Sequence, residues 1–151
     1  MKILLVIDIQ QRYLAYYDSN LLNRINDRIK KAKTAEIPIF YVRNTPRLAN
    51  GENYDFAADL IMVSEHIYDK QSPSAFTNNL FAERLKELGV TEIEMIGVDG
   101  NCCVNRTCLD AVEAGYKVIL PLNCIGFRNA RIFEKTLAGL ENDKILIQKN
   151  T

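Results

Sequence analysis

The 151-residue sequence predicts a single α/β domain, residues 1–151, with a parallel sheet and helices on both of its faces. Three observations lead there. Short apolar runs recur along the chain, continuous rather than alternating, as in strands buried on both sides. Between them, apolar residues repeat at helical spacing. Glycines fall where those helical patterns end.

Taken in order, Lys2 to Asp8 reads as the first strand. Leu21, Leu22, Ile25, Ile29 and Ala32 mark the helix after it, with Ser19 available as a cap. The second strand covers Ile37 to Val42, with Pro38 at its start. From Asn44 to Glu65 periodicity is lost, and Pro46, Gly51 and several asparagines make this the one long irregular insertion. Such loops inside compact domains usually carry function. A short strand near His66 to Tyr68 follows, and Thr77 can cap a helix built on Leu80, Phe81, Leu85 and Leu88 and stopped by Gly89. Strand Glu92 to Val98 leads into a helix on Val104, Cys108, Ala111 and Val112 that ends at Gly115. Strand Tyr116 to Leu120, a helix on Ile132, Phe133, Leu137 and Leu140, and strand Ile145 to Ile147 complete the series.

With 48% hydrophobic residues the chain can build a core without cross-links. Nineteen basic residues balance nineteen acidic ones, which leaves no overall field to attract nucleic acid or a membrane surface. The basic cluster from Arg24 to Lys33 is interleaved with Ile25 and Ile29 and reads as a solvated helix face. No run approaches the roughly 20 apolar residues of a membrane span, and MKILLVID is too short for a secretory signal. The four cysteines form no Cys-x-x-Cys pair. Reduced thiols, a cytoplasmic location and a small-molecule substrate are therefore expected, with no nucleic-acid or membrane partner. Gly97 and Gly100 lack the third glycine of a dinucleotide fingerprint, and no P-loop occurs.

Two places can carry chemistry. Asp8 closes the first strand, at the sheet edge where open α/β proteins put their sites. The segment Gly97-Val98-Asp99-Gly100-Asn101-Cys102-Cys103-Val104 runs from a strand end straight into a helix, so one of its cysteines sits at a helix N-terminus. Unpaired N–H groups and the positive end of the helix dipole there favour a thiolate. Half ionisation at pH 7 needs a shift of about 1.5 units from the free thiol, which a helix end and one cation can supply. The adjacency of Cys102 and Cys103 also permits a vicinal disulfide, whereas Cys108 and Cys124 read as packing residues. Lys70, in Asp-Lys-Gln-Ser-Pro-Ser-Ala-Phe, lies between the insertion and the next helix; His66 is the only histidine.

Together the acid ending the first strand, the lysine before Ser-Ala-Phe and the Gly-Val-x-x-x-x-Cys-Val turn resemble the isochorismatase-like cysteine hydrolases. The likeness runs from Lys2 to about Leu120 and includes Ile-Asp-Ile-Gln and Leu-Asp-Ala-Val-Glu-Ala-Gly-Tyr-Lys-Val. It implies a Rossmann-like three-layer sandwich with strand order 3-2-1-4-5-6, which sets Asp8 and Cys103 across one crevice. It also implies that Cys103 is the nucleophile, Asp8 the base and Lys70 a charge-stabilising group. The N–H groups of Asp99 and Cys103 would form the oxyanion hole, the first aimed by a cis peptide between Val98 and Asp99. The implied activity is hydrolysis of a C–N bond in a small amide, ureide or carbamoyl compound through a thioester; the competing reading is a non-catalytic ligand-binding or interaction protein on the same scaffold. Phe76, Tyr13 and the insertion are the expected pocket lining, Phe76 foremost because relatives place an aromatic there.

The resemblance further implies a homo-oligomer. Nicotinamidase-type members hold a metal through an Asp-x-His pair and a second histidine, whereas this insertion offers only His66, so no metal and no cofactor is expected. Many members carry threonine where Gly100 stands, which predicts a looser turn or a wider pocket.

Overall fold

The computed structural model describes residues 1–46 and 52–149; Gly51 of the expected insertion lies outside them. Six parallel strands form one sheet in the order β3-β2-β1-β4-β5-β6. They are β1 (Lys2–Ile7), β2 (Ile39–Asn44), β3 (Ile67–Lys70), β4 (Glu92–Gly97), β5 (Lys117–Pro121) and β6 (Ile145–Gln148). The helices are α1 (Leu21–Thr34), α2 (Asn79–Glu87), α3 (Cys103–Glu113) and α4 (Ala130–Gly139).

Strand β1 shows why the apolar runs are continuous. Ile3, Leu5 and Ile7 point into a core with Phe81 and Leu85 of α2, Val104, Cys108 and Ala111 of α3, and Phe133 of α4. Leu4 and Val6 point the other way, onto Leu21, Ile25, Ile29 and Ala32 of α1. Both faces are therefore dry, and every residue of the strand after Lys2 must be apolar. One helix covers one face and three cover the other, as right-handed crossovers require when the chain leaves β1 in one direction and β4 in the opposite one.

Helix starts differ in detail from expectation. Asn20, not Ser19, takes the cap position of α1, and Asn78, not Thr77, caps α2, its side chain accepting from the Phe81 N–H at 3.1 Å. Thr77 instead ends a 3₁₀ turn opened by Ser74. Gly89 and Gly115 follow α2 and α3 with φ of 71° and 97°, the left-handed stop that glycine allows. Among the described residues no helix is long and apolar enough to cross a membrane.

The topology places strand ends β1 and β4 side by side, with Ile7 paired to Gly97. Gly97 has φ 127°, and a Cβ there would meet the Ile7 carbonyl oxygen at 2.1 Å. Only glycine lets the two backbones close at this point. Beyond it β1 and β4 end in Asp8 and in the Val98-Asp99 turn, which share one crevice.

Candidate active site

Asp8 sits in the left-handed region at φ 53°, which turns the chain sharply at the end of β1 and leaves the side chain buried in the crevice. Aspartate tolerates that conformation better than most residues. Lys70 is the last residue of β3, and its side chain is fully buried. Its backbone is fixed on both sides: its carbonyl accepts from Thr45 N–H at 2.8 Å, and the carbonyl of the preceding Asp69 accepts from Asn78 Nδ2 at 2.8 Å. Thr107, on α3 and fully buried, accepts the Ala75 N–H at 3.1 Å and ties the segment after Lys70 to the helix that begins at Cys103.

These elements bring three side chains together. Lys70 Nζ donates to Asp8 Oδ2 at 2.9 Å and to Cys103 Sγ at 3.4 Å. The other carboxylate oxygen, Asp8 Oδ1, is buried and accepts no hydrogen bond from the described residues. An orphaned buried acceptor beside a thiol is costly unless it is used, and the thiol proton is the donor within reach. Cys103 opens α3 and is half-buried, whereas Cys102 precedes the helix and is exposed; all four cysteines are free thiols.

The lowered thiol pKa expected from the helix terminus is corrected by the structure. Burial, with the Asp8 carboxylate next, pushes the Cys103 thiol up, while the Lys70 ammonium pulls only partly the other way. Burial likewise raises the Asp8 carboxyl against the opposing pull of Lys70. Cys103 therefore rests as a thiol beside a base rather than as a standing thiolate.

The turn before α3 supplies donors. The Val98-Asp99 peptide is cis. The N–H of Gly100 donates to the Gly126 carbonyl, that of Asn101 to Asp99 Oδ1, and those of Cys102 and Val104 to the Asp99 carbonyl. The N–H groups of Asp99 and Cys103 bond to no described residue, so both remain available to an incoming oxygen. Asp99 Oδ2 accepts from the Tyr17 hydroxyl at 3.1 Å, which ties the turn to the segment after β1. Burial and the Asp99 charge push the Tyr17 hydroxyl up, so it stays a donor.

Gly100 does not loosen this turn. A Cβ at that position would meet the Phe133 ring at 2.5 Å and Ile125 at 3.1 Å, so the backbone is packed tightly under α4. Phe127 stacks on Phe133 at 4.5 Å and fills the same space. The wider pocket expected from glycine is thus corrected: the ring of Phe133 occupies that room.

Asp8, Val98, Asp99 and Cys103 open into a cleft of about 690 Å³ whose further lining includes Tyr13, Tyr16, Tyr17, Asn44, Asn101, Cys102, Arg128 and Asn129. That volume suits a small molecule. Tyr13 lines it as expected, its hydroxyl accepting from Asn44 Nδ2 at 3.1 Å. Phe76 is not among its lining residues: the half-buried ring packs edge-on to Phe81 at 5.3 Å and near Tyr116 at 5.9 Å, against the core. The insertion contributes Asn44 alone among its described residues. Ala57 and Leu60 instead pack down with α1, and the buried Gln10 holds the insertion with bonds to the carbonyls of Asn44 and Tyr54 at 3.0 and 2.7 Å.

Tyr16, Tyr17 and Arg128 were not anticipated. They come from the turns that follow β1 and β5, and only their position after strand ends at the sheet's C-terminal edge marks them in sequence. His66 precedes β3 and stacks flat on Phe40 at 4.3 Å, at the opposite end of that strand from Lys70. Among the described residues no three His, Cys, Asp or Glu side chains converge as metal ligands, so the donor set does not fit the metal of nicotinamidase-type relatives and no step is routed through one.

A family model described as the isochorismatase domain matches residues 2–144. Nicotinamidase 3 of Arabidopsis thaliana is 27% identical over 157 aligned positions, covering 91% of this chain and 79% of that protein. Streptothricin hydrolase of Streptomyces noursei is 26% identical over 129 positions, 78% of this chain and 47% of its own length. Among solved structures, an isochorismatase family protein superposes with a TM-score of 0.84 at 21% identity, covering 98% of each chain.

Proposed function

Because the chain belongs to the isochorismatase family, we propose that it hydrolyses a C–N bond in a small amide-like substrate through a thioester on Cys103. The observation that carries this reading is the shared Lys70 ammonium, 2.9 Å from Asp8 Oδ2 and 3.4 Å from Cys103 Sγ. The relatives named as a nicotinamidase and a streptothricin hydrolase support the same class of chemistry.

In the proposed sequence the substrate carbonyl oxygen enters between the N–H groups of Asp99 and Cys103. As Sγ attacks the carbonyl carbon, its proton passes to Asp8 Oδ1, the carboxylate oxygen left without a partner. The negative charge moves from sulfur to the substrate oxygen, where the N–H groups of Asp99 and Cys103 would receive it. Collapse of the tetrahedral adduct breaks the C–N bond, and the leaving nitrogen takes the proton from Asp8. Water then attacks the thioester, giving a proton to Asp8, and the C–S bond breaks as Sγ regains it. Lys70 stays protonated throughout, steadying the carboxylate and the developing thiolate. Because the resting thiol is held protonated, proton transfer and attack are coupled, which protects Cys103 from unproductive alkylation between turnovers.

The test is a panel of small primary amides, ureides and carbamoyl compounds, with product acid and released amine both measured. Turnover that disappears in Cys103→Ala, together with an acyl adduct on wild-type protein by intact mass, is the expected result. Turnover that survives Cys103→Ala overturns the assignment.

A further inference from the structure

We propose that Arg128 selects the substrate: the cleft takes planar amides that carry a carboxylate at the end remote from the scissile bond. This deepens the hydrolase reading and rests on it for the location of the reacting carbonyl. At the Cys103 end Asp8 is paired to Lys70, and the Asp99 carboxylate has both oxygens engaged by neutral donors, Tyr17 and the Asn101 N–H, with no ion pair among the described residues. The remaining polar lining of the cleft is neutral except for Arg128.

Among the described residues Arg128 pairs with no carboxylate, and none of its N–H groups makes a hydrogen bond. Its guanidinium carbon lies 4.3 Å from the centroid of the Tyr16 ring. That contact sets the guanidinium against the ring at the mouth of the cleft and leaves its N–H groups without a protein acceptor among the described residues. A guanidinium with free N–H groups matches a carboxylate with two parallel hydrogen bonds. The tyrosines beside it, Tyr13, Tyr16 and Tyr17, give the same cleft aromatic walls that suit a flat substrate. With a neutral amide the exposed guanidinium keeps only water as its partner; a carboxylate supplies an ionic one.

The probes are 4-carbamoylbenzoate and its neutral counterpart 4-methylbenzamide, titrated calorimetrically into the Cys103→Ala protein at low ionic strength. Binding is then read without turnover, so the result is separate from the hydrolase reading, which stands or falls on the wild-type assay. The carboxylated probe is expected to bind about tenfold more tightly, with the preference shrinking as salt is raised. Adding Arg128→Gln should bring the ratio of the two affinities to about one; the residue is exposed, and circular dichroism checks that the fold is kept. Equal binding of the two probes, no binding of the carboxylated one, or a preference that survives Arg128→Gln overturns the proposal.

Discussion

Two carboxylates are buried among cations in this molecule, at opposite ends of the same sheet, and they are built differently. Glu94, in the first half of β4, has both oxygens engaged: one with Lys2 at 2.9 Å, the other with Arg28. Arg28 also donates to Gln148 at 2.9 Å, so β1, β4, β6 and α1 are stitched at one point. Both cations keep a wet side, with side chains 31% and 20% exposed. Asp8, at the other end of the neighbouring strand, has one fully buried cation, one unsatisfied oxygen and a thiol against it. A complete set of partners makes a clamp. An incomplete one leaves a lone pair free, which is what the proposed role of Asp8 as proton acceptor needs.

The sharpest way to break this contrast is to neutralise each carboxylate in turn. Asp8→Asn should lower turnover by about 10² to 10⁴, the range a positioned proton acceptor supplies, measured as kcat/KM on the best substrate of the amide panel. Glu94→Gln should leave kcat/KM within about threefold while reducing stability by about 2 kcal/mol, below the full loss of a dry ion pair because both cations can rehydrate. Thermal melting of a chain this size would show the latter as a fall of roughly 4–8 °C. If Glu94→Gln abolished turnover and Asp8→Asn did not, the two roles would be reversed.

pH sharpens the same comparison by about tenfold per unit. Asp8 accepts a proton only when ionised, and burial raises its pKa above the ordinary 3.8. The acid limb of kcat/KM should therefore fall at a pH above that ordinary value and vanish from the residual rate of Asp8→Asn. The sign for stability follows from the same shift. A carboxyl whose folded pKa is raised favours the native state while protonated, and that contribution is lost as pH rises through the folded value. The stability of Asp8→Asn relative to wild type should accordingly improve as pH rises from 3 to 7, read from denaturant midpoints. Cys103, pushed up by burial, should react slowly with iodoacetamide at pH 7 while exposed Cys102 is labelled first.

Much of this architecture was legible in sequence, and the reasons divide by range. Strands β1, β2, β4 and β5 announced themselves because two dry faces demand continuous apolar runs, and Gly89 and Gly115 because a helix stop needs a left-handed residue; β6 carries the same kind of run but, as the edge strand, leaves Leu146 exposed rather than buried on both faces. The caps of α1 and α2 were misplaced by one residue because Ser19-Asn20 and Thr77-Asn78 each offer two good capping side chains in succession. The short β3 was faint, with Ile67 exposed, yet it delivers Lys70. Phe76, an aromatic at the start of a helix, fits a core and a pocket equally well in sequence, and only the fold sets its ring against Phe81 and Tyr116. The Glu94 clamp was invisible: Arg28 reads as solvated helix face, and only strand order brings it to β4. The direction of the Cys103 shift was equally out of reach, since helix position is local while burial is set by the whole fold.

The smallest expected effect tests whether the Glu94 clamp is redundant. Lys2 and Arg28 both neutralise one carboxylate, but they are not equivalent. Arg28 is the less exposed, and it also bonds Gln148, so its loss would strand two partners. Lys2, at the first position of β1, is nearly a third exposed and forms its one ion pair among the described residues with Glu94. A partly exposed lysine of this kind contributes about 0.2–1 kcal/mol, and Glu94 keeps its arginine when the lysine is gone. Lys2→Met, which preserves most of the apolar stem, should therefore lower the melting temperature by no more than about 4 °C and leave turnover unaltered. A loss as large as that of Glu94→Gln would mean that the clamp has no spare cation, and the contrast drawn with Asp8 would narrow to a single unsatisfied oxygen.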